Sequence, residues 1–481
     1  MSLVKNFFYN SALTVSTYVV NFIVFTIISR TLGVENIGVI SYVDNIINYF
    51  VLFSSLGIST VGVREIAATK GDKKACSRVF SQLLSFVFLM VIISTIIYVL
   101  CIFFIPQFQQ YRDYFYIGLG KLVLTPLMIE WLYAGNQDFK FISLRTIIIK
   151  VIYLLLIIFC VKDINDSVIY FALTAVSVII NFVVNAFYAR KYVVVKYIQF
   201  DWKPFSIPIM KMGCFAIITS MYSTFNYVYL GSVSTVAQVG FYYTAVRLYD
   251  VIMQLFRSYV TVAMPKMSEL LSNSDKVSFN KLITKSFKGL FAYSIPMTVI
   301  FIILAPVIIR VIAGPGYESS VTAMRIIMPI LVIAGINQIN GIQVLMPLHK
   351  DNVLLVTASL ASFVGVISNI LLDQRYGANG AAVTILLSEI TGCVGGLVYT
   401  LKNRLISIPY VDIAKYVFSS IPYFIIWKLC SLSMDNVVFS YTITALLFVS
   451  YFIVQQIYIC KNEILISGLS KFVGNSHKNY S

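Results

Sequence analysis

The chain has 481 residues, of which 59% are hydrophobic and 12% charged, and its mean hydropathy is +0.86. Soluble globular proteins carry about 25% charged residues, so half that share cannot coat a water-facing surface of this size, and a soluble enzyme is excluded. The seven cysteines are scattered and form no C-x-x-C pair, which excludes a disulfide framework and a zinc ribbon. With only two histidines, His349 and His477, a histidine-based metal site or catalytic triad is disfavoured.

Fourteen stretches of the chain are apolar over the roughly 20 residues that a bilayer-crossing helix needs. In chain order they cover 9–29, 38–57, 80–104, 117–134, 146–161, 168–188, 212–231, 239–258, 289–312, 320–345, 353–372, 380–400, 413–431 and 438–459. The first stretch runs directly into the second and has no A-x-A site after it, so it is interpreted as a retained helix and not as a signal peptide. The sequence therefore predicts an all-α, polytopic transmembrane bundle of about fourteen helices.

The basic residues are distributed unequally between the two sides of the membrane when the N-terminus is placed in the cytosol. Of the 36 Lys and Arg residues, 26 then lie on the cytosolic side, 7 on the opposite side and three within the spans. Cytosolic loops of membrane proteins carry such an excess of positive charge, so both termini are predicted to be cytosolic. The net charge of +16 is explained by this rim beside anionic lipid, and a nucleic-acid partner is disfavoured.

The segments between the predicted spans leave little room for chemistry outside the membrane. Every outer loop is short, whereas enzymes that act on extracytoplasmic substrates usually project groups from longer loops. The larger cytosolic loops resemble basic connectors, and the chain has no Walker A, G-x-G-x-x-G or H-E-x-x-H motif. The sequence therefore predicts no enzyme, no metal site and no cofactor. The function classes that remain are a carrier, a channel and a scaffold.

Polar side chains recur on single faces of several predicted spans, at the helical spacing of three or four residues. Stripes of Ser, Thr and Asn alone are typical of helix–helix contacts, but a charge at mid-bilayer costs roughly 2.5–3.5 kcal/mol and has to face protein or a wet cavity. Arg247 and Asp250 are three residues apart, so mutual neutralisation and substrate binding both remain open. The substrate-cavity candidates are Asn21, Asp44, Asn48, Asn226, Tyr243, Arg247, Asp250, Gln254, Arg325 and Glu389.

Three short segments suggest an internal repeat. Gly38 and Gly240 each open the second helix of a pair and lie 202 residues apart, and the segment 376–382 is a third relative. This is the pattern of a parallel repeat about an axis along the membrane normal, which is common among carriers. It predicts two pseudo-symmetric six-helix lobes. The predicted division is an N-terminal lobe at 1–190, a cytosolic linker at 191–211, a C-terminal lobe at 212–402, and two further helices with a cytosolic tail at 403–481.

Local signatures over nearly the whole chain resemble the polysaccharide flippases of the multidrug/oligosaccharidyl-lipid/polysaccharide exporter superfamily, the Wzx-type O-antigen transporters. The most specific is the segment 130–142, which begins Glu130-Trp131 and is followed by Arg145 and Lys150. The other signatures are Arg30 to Gly33 with Gly38, Gly57-Ile58 with Gly62 to Ala67, Pro265 to Met267, Gly314 to Tyr317, Gly341 to Pro347 and Tyr376 to Ala382. The family would have a small polar residue where this chain has Asp44, so the role of Asp44 is open.

The resemblance implies a two-lobed bundle with a central cavity, like the MATE transporters and lipid flippases. The substrate would be an oligosaccharide on a polyprenyl diphosphate, moved by alternating access from the cytosolic to the outer leaflet of the bacterial inner membrane for O-antigen, capsule or exopolysaccharide synthesis. Coupling to H⁺ or Na⁺ is open, and other polysaccharide-assembly proteins are expected partners. Candidate residues on the side where substrate enters are Arg64, Glu130, Trp131, Arg145 and Lys150.

Two alternatives to this function remain. One is a cation-coupled multidrug or metabolite antiporter of the same superfamily, and the other is a membrane glycan polymerase, against which the short outer loops argue. The segment 130–140 also has two interpretations, because it either orients the turn between the fourth and fifth helices or contacts substrate. Trp131 and Tyr133 are expected to anchor at the membrane interface, and Lys121, near a span end, is expected to extend towards the membrane surface.

Overall fold

The computed structural model describes residues 3–69, 71–194, 201, 203–221, 223–433 and 437–460, and within these residues every regular element is helical. Side chains are described for these residues except 3–12, 15, 437–439 and 459. The first ten helices are α1 (Leu3–Ser55), α2 (Ile58–Ala68), α3 (Lys73–Phe104), α4 (Pro106–Gln110), α5 (Arg112–Leu124), α6 (Glu130–Gly135), α7 (Phe139–Cys160), α8 (Ser167–Ala189), α9 (Lys203–Ser220) and α10 (Thr224–Val233).

The second half continues the all-helical order. Its helices are α11 (Val236–Ser272), α12 (Lys276–Ile312), α13 (Ser320–Ile327), α14 (Ile330–Gln338), α15 (Asp351–Tyr376), α16 (Ala378–Lys402), α17 (Tyr410–Phe418), α18 (Ile421–Ser433) and α19 (Val437–Val454). Short π-helical segments follow α14 at Ile339–Leu345 and α19 at Gln455–Ile459.

Nine helical segments among the described residues are long and apolar enough to cross a bilayer, and the number rises to eleven when each bent helix pair is one span. Twelve of the fourteen predicted stretches fall on these segments, and α1 carries the first two of them. The stretch 239–258 falls on α11 and the stretch 413–431 on α17 and α18, which are helical but lie outside these segments. The chain is therefore a multi-pass membrane protein, and the predicted all-α transmembrane fold is confirmed.

Three predicted spans are broken where the sequence suggested continuous helices. The span 212–231 divides into α9 and α10, and the span 320–345 bends by 40° between α13 and α14. The span 413–431 divides into α17 and α18, with Pro422 in the first turn of α18. Proline has no backbone N–H to donate and is tolerated in a first helical turn, so its position explains why the helix restarts there.

The predicted outer loop 30–37 is helical apart from a single kink at Gly33, where φ is 75° and ψ is 171°. A positive φ is accessible to glycine at little steric expense, so one residue is enough to join the first two spans. The expected eight-residue loop is therefore absent, and the two spans continue as one bent helix over Leu3–Ser55.

Contacts between Cα atoms divide the chain into two compact units. The first comprises Met1–Tyr243 with Gly365–Ala381, and the second comprises Thr244–Val364 with Ala382–Ser481. In the first unit, α1 packs against α3, α5, α7 and α10. In the second unit, α12 packs against α13, α14, α17 and α19. The division into lobes and a linker made from the sequence stays a prediction.

The glycines of the predicted repeat lie at a close helix crossing within the first unit. A Cβ on Gly38 would lie 1.8 Å from the carbonyl oxygen of Val236, and a Cβ on Gly240 would lie 2.2 Å from the carbonyl oxygen of Val34. Real side chains do not approach backbone so closely. The repeated glycines therefore allow α1 and α11 to touch through their backbones.

The third related segment meets the same crossing. The Gln238 side-chain oxygen accepts a hydrogen bond from the backbone N–H of Ala378 at 2.9 Å. Gly377 has a φ of 54°, and a Cβ there would lie 2.4 Å from that same oxygen. All three segments that suggested the repeat therefore pack together at one end of the first unit.

The last two predicted spans are anchored to the second unit by buried amide side chains. The Tyr423 hydroxyl on α18 donates to the side-chain oxygen of Gln455 at 2.9 Å. The amide of Gln456 donates to the carbonyl oxygen of Ala292 on α12 at 2.8 Å. Since both glutamines are at most 1% exposed, these hydrogen bonds replace water that the buried amides would otherwise need.

Candidate functional site

Two cations of the first unit lie beside polar residues of α1. The Lys121 ammonium forms an ion pair with Asp44, and the side chains are 13% and 35% exposed respectively. The Lys150 ammonium donates to the Asn21 side-chain oxygen at 2.9 Å. The expectation that Lys121 extends towards the membrane surface is therefore wrong, because a half-buried carboxylate on the neighbouring helix holds it. The remaining candidate on this stretch, Asn48, is exposed.

A second polar group in the first unit is almost completely buried. The Asn369 amide on α15 donates to the Asn226 side-chain oxygen at 2.8 Å, and the Asn226 amide donates to the Tyr242 hydroxyl at 3.0 Å. Asp373 lies four residues after Asn369, on the same face of α15, and is 0% exposed. Among the described residues, neither Asp373 carboxylate oxygen has a hydrogen-bond partner, and the Asn369 side-chain oxygen has none either.

Two neighbouring turns of α15 therefore carry acceptor oxygens that have no donor among the described residues. The bond to Asn226 uses the Asn369 N–H, which leaves the Asn369 oxygen unpartnered one turn before Asp373. A buried ionised carboxylate without a partner is strongly unfavourable. The group is therefore suited to a proton or a small hard cation, which both favour oxygen.

The second unit contains a group with two cations and two anions. The Arg257 guanidinium lies 3.4 Å from the Asp250 carboxylate, and Arg247 also interacts electrostatically with Asp250. The Glu389 carboxylate accepts a hydrogen bond from the Asn337 amide at 2.8 Å and interacts electrostatically with Arg257. We call Arg247, Asp250, Arg257 and Glu389 the charge network.

The direct partner of Asp250 differs from the one that spacing suggested. Arg247, three residues before it, is exposed, whereas Arg257, seven residues after it, forms the ion pair. Positions i and i+7 lie on one helix face, so a long guanidinium can reach back over two turns. The network has formal charges that balance, and its Asp250 and Arg257 side chains are about one third exposed, at 31% and 35%.

The other predicted cavity residues are placed outside the charge network. Arg325 is exposed on α13, and its Nε donates to the Ile302 carbonyl oxygen at 3.1 Å. Tyr243 packs edge-on against Phe25 in the first unit, with ring centroids 6.0 Å apart. The Gln254 backbone carbonyl accepts from Ser258 at 2.9 Å. The structure therefore brings together Arg247, Asp250 and Glu389 of the predicted set, with Asn337 and Arg257 added.

The segment after Glu130 is held by a buried guanidinium. The Arg145 side chain is 3% exposed and donates to Glu130 and to the Asn185 side-chain oxygen. The Asn185 amide in turn donates to the Met128 carbonyl oxygen at 2.5 Å, and the Tyr133 hydroxyl donates to the Asn185 carbonyl oxygen. Hydrogen bonds thus join three separate parts of the chain, namely the segment 128–133, Arg145 and Asn185. These contacts support the interpretation that the motif orients the turn between the fourth and fifth helices.

Trp131 and Tyr133 do not anchor at the membrane interface. Trp131 is 5% exposed and packs against Phe80 and Gly62, where a Cβ would lie 2.7 Å from the indole. Tyr133 is 0% exposed, and its hydroxyl is satisfied internally. Both belong to the core of the first unit because the tight α2–α6 contact covers them. Arg64, by contrast, is exposed and pairs with its neighbour Glu65 at 2.8 Å.

Changing Arg145 to Ala should lower the free energy of unfolding by about 2 kcal/mol. Removing one partner of a fully buried pair typically costs about 3–5 kcal/mol, and half of the Glu130 side chain is exposed, at 51%, which reduces the effect. Thermal unfolding of the purified protein in detergent measures the change. Arg64→Ala, at an exposed position, is the matched control and should shift stability little. Equal melting temperatures for both variants would contradict a stabilising role for the contacts of Arg145 with Glu130 and Asn185.

Sequence reasoning missed further residues of these groups as site candidates, among them Lys121, Arg257, Asn337, Asn369 and Asp373. Lys121 lies near one end of the predicted span 117–134, and Arg257 lies near the cytosolic end of the predicted span 239–258. Asp373 fell in a predicted outer loop, although α15 continues to Tyr376. The available signal was the spacing of Asn369 and Asp373, four residues apart on one face.

Comparisons with protein families agree with this architecture. Residues 3–271, more than half of the chain, match the family model described as polysaccharide biosynthesis protein. Residues 206–455 match the model described as lipid II flippase MurJ. The chain is also 22% identical over 418 residues to a protein of Escherichia coli (strain K12) named "Putative O-antigen transporter", covering 84% of this chain and 98% of the relative.

Solved structures show the same fold. A lipid II flippase MurJ in an inward closed conformation superposes with a TM-score of 0.77 at 15% identity, covering 95% of this chain and 99% of the flippase. An inward-facing multidrug resistance MATE transporter gives a TM-score of 0.58 at 12% identity, covering 81% and 94% respectively. Together with the family matches, this likeness confirms the resemblance read from the local signatures. The chain therefore belongs to the polysaccharide biosynthesis protein family of the multidrug/oligosaccharidyl-lipid/polysaccharide exporter superfamily.

Proposed function

We propose that the chain is a flippase for polyprenyl-diphosphate-linked oligosaccharides, acting in surface polysaccharide synthesis. It would move these lipids from the cytosolic to the outer leaflet of the bacterial inner membrane by alternating access, with both termini in the cytosol. The family match, the Escherichia coli relative named as an O-antigen transporter and the MurJ-like fold support this proposal. Relatives described as transporters and flippases also support a transport function without catalysis.

The observation that carries the proposal is the charge network on α11 and α16. Ionised groups within a membrane protein are expensive and mark substrate or ion pathways. In this network the Arg257 guanidinium lies 3.4 Å from the Asp250 carboxylate, and Arg247 and Glu389 interact electrostatically with the two members of that pair. A guanidinium binds phosphate through parallel hydrogen bonds. An incoming diphosphate would compete with Asp250 for Arg257, so substrate binding and release of the ion pair would be linked.

The membrane potential gives a direction to such transport. Moving an anion out of a cell with a negative interior is favourable by about 2.3 kcal/mol per charge per 100 mV. A diphosphate carries more than one negative charge, so the potential alone would drive part of the movement towards the outer leaflet. This energy source suits a chain whose sequence contains no nucleotide-binding motif.

We further propose coupling to H⁺ or Na⁺ through Asp373. The support is the buried carboxylate, whose oxygens have no hydrogen-bond partner among the described residues, one helical turn after Asn369, whose side-chain oxygen has none there either. A bound cation or proton would remove the penalty of an isolated buried charge. Because α15 and the Asn226 helix α10 meet at this group, occupancy would bias their packing.

Reconstitution tests the proposed function directly. The purified chain in liposomes should accelerate the crossing of a labelled polyprenyl-diphosphate oligosaccharide, measured by protection of the sugar from a membrane-impermeant glycosidase. Protein-free liposomes and liposomes containing the Asp250→Asn, Arg257→Gln double variant are the controls. Failure to exceed the protein-free rate would refute the flippase proposal, and export of cationic drugs in the same liposomes would instead favour the antiporter.

A further inference from the structure

A surface pocket of about 820 Å³ lies on the first unit, between the start of α7 and the end of α8. Its volume falls within the roughly 300–1,000 Å³ range of small-ligand sites. One side is polar and includes Asp138, Lys140 and Lys191, and the other is apolar and includes Leu144 and Ile148. The pocket is therefore amphipathic, with polar residues around the start of α7 and just after α8, and apolar residues on the following turns of α7.

The polar side contains a rigid aromatic and charged cluster. Asp138 accepts hydrogen bonds from Tyr192 at 2.5 Å, Tyr188 at 2.8 Å and Lys191 at 3.1 Å. Burial opposes ionisation of Asp138, but these hydrogen bonds outweigh it and hold the pKa of the carboxyl below its usual value. The Tyr188 ring also stacks on Phe141 at a centroid distance of 3.6 Å. The wall of the pocket is thus held in place by its own contacts.

Two of the three cations that line the pocket are already neutralised. Lys191 forms an ion pair with Asp138, and Arg145 forms one with Glu130. Lys140 is exposed, and no described acidic residue forms an ion pair with it. The pocket therefore carries one uncompensated positive charge, which is complementary to a ligand with one negative charge.

The apolar side continues from Lys140 along a single helix face. Lys140, Leu144, Ile148 and Ile152 follow one another at intervals of four residues. Leu144, Ile148 and Ile152 are exposed by 47%, 57% and 41%. At 1.5 Å rise per residue, the line from Lys140 to Ile152 descends about 18 Å along the helix. Lys140 therefore lies at one end of an apolar strip that is long enough to contact part of a lipid acyl chain.

We propose that this pocket binds an anionic glycerophospholipid of the surrounding bilayer, with its phosphate at Lys140 and one acyl chain along Leu144, Ile148 and Ile152. The single uncompensated charge matches a phosphate monoanion. The lipid would contact both α7 and α8 from outside the bundle, next to the Glu130–Arg145 ion pair. Its position stabilises the turn that begins α7 without any role in substrate transfer.

Native mass spectrometry of the full chain in detergent tests this site, with phosphatidylglycerol as the probe. The first phosphatidylglycerol should bind about fivefold more weakly to Lys140→Ala, since one lysine contributes about 1 kcal/mol to anionic-lipid binding. Lys162→Ala is the matched control, because Lys162 is an exposed lysine just beyond the other end of α7, and it should bind like the wild type. Leu144→Gln should also weaken binding, although it leaves the charge unchanged.

Several outcomes would overturn the proposal. Equal losses in Lys140→Ala and Lys162→Ala would assign the binding to general surface charge. Equal affinity for phosphatidylcholine would show that binding does not require an anionic headgroup. Displacement of phosphatidylglycerol by inorganic phosphate at the same concentration would mean a phosphate-ion site without lipid. Tighter Lys140-dependent binding of a polyprenyl diphosphate would assign the pocket to the lipid-linked substrate.

Discussion

Export of lipid-linked oligosaccharide should fall at least about tenfold when Arg257 is changed to Ala, a loss of about 1.4 kcal/mol of transition-state or binding free energy. The change leaves Asp250, which is 31% exposed, without the guanidinium that lies 3.4 Å away. It also removes a cation that acts on Glu389. Both carboxylates then repel an approaching diphosphate, so the loss arises from binding as well as from the uncompensated charge. The measurement is the initial flipping rate in liposomes.

Two controls separate substrate binding from a structural ion pair. If the pair only stabilises α11, the double change Asp250→Asn with Arg257→Gln should restore flipping, because it leaves neither member of the ion pair charged without the other. If Arg257 binds the diphosphate, the double variant should stay as slow as the single one. Arg310→Ala, at an exposed position near the end of α12, should keep the wild-type rate. A rate in Arg257→Ala equal to that of Arg310→Ala would contradict the role of the network.

The all-helical transmembrane architecture could be predicted from the sequence because it depends on summed hydropathy. Apolar stretches are properties of whole segments, so their prediction tolerates errors of several residues. The kink at Gly33 is decided by the backbone dihedrals of one residue, and the helix that begins at Ile421 has Pro422 in its first turn. A glycine or proline in the sequence indicates that such a change is permitted there, and packing decides whether it occurs.

Individual members of the candidate site could be predicted from the polar faces of single helices, but their partners could not. The polar face of α11 was visible from spacing, including the acidic group of Asp250. The pairing of Asp44 with Lys121, or of Arg145 with Asn185, joins helices whose relative rotation no periodicity specifies. Glycine signatures were more informative, because Gly38 and Gly240 mark backbone contacts that side chains would prevent. Small residues therefore located the helix crossing better than charges located the site.

Changing Asp373 to Asn should abolish the dependence of flipping on a cation gradient. The carboxylate is completely buried, and within the described part of the chain neither of its oxygens has a hydrogen-bond partner. Asparagine keeps the shape but removes both the negative charge and one acceptor oxygen, so a proton or Na⁺ loses its site. We expect the stimulation by a gradient to disappear, while the protein remains folded because a neutral amide is easier to bury than a carboxylate.

Imposing one gradient at a time identifies the coupled ion. A Na⁺ gradient at constant pH and a pH gradient in Na⁺-free buffer are applied to the same liposomes, and the flipping rate is compared with that at equilibrium. Asp351→Asn, the same change at an exposed position that begins the same helix, is the matched control and should keep the wild-type response. Stimulation of Asp373→Asn by either gradient to the wild-type extent would exclude Asp373 as the coupling site. The membrane potential acting on the diphosphate would then be left as the proposed driving force.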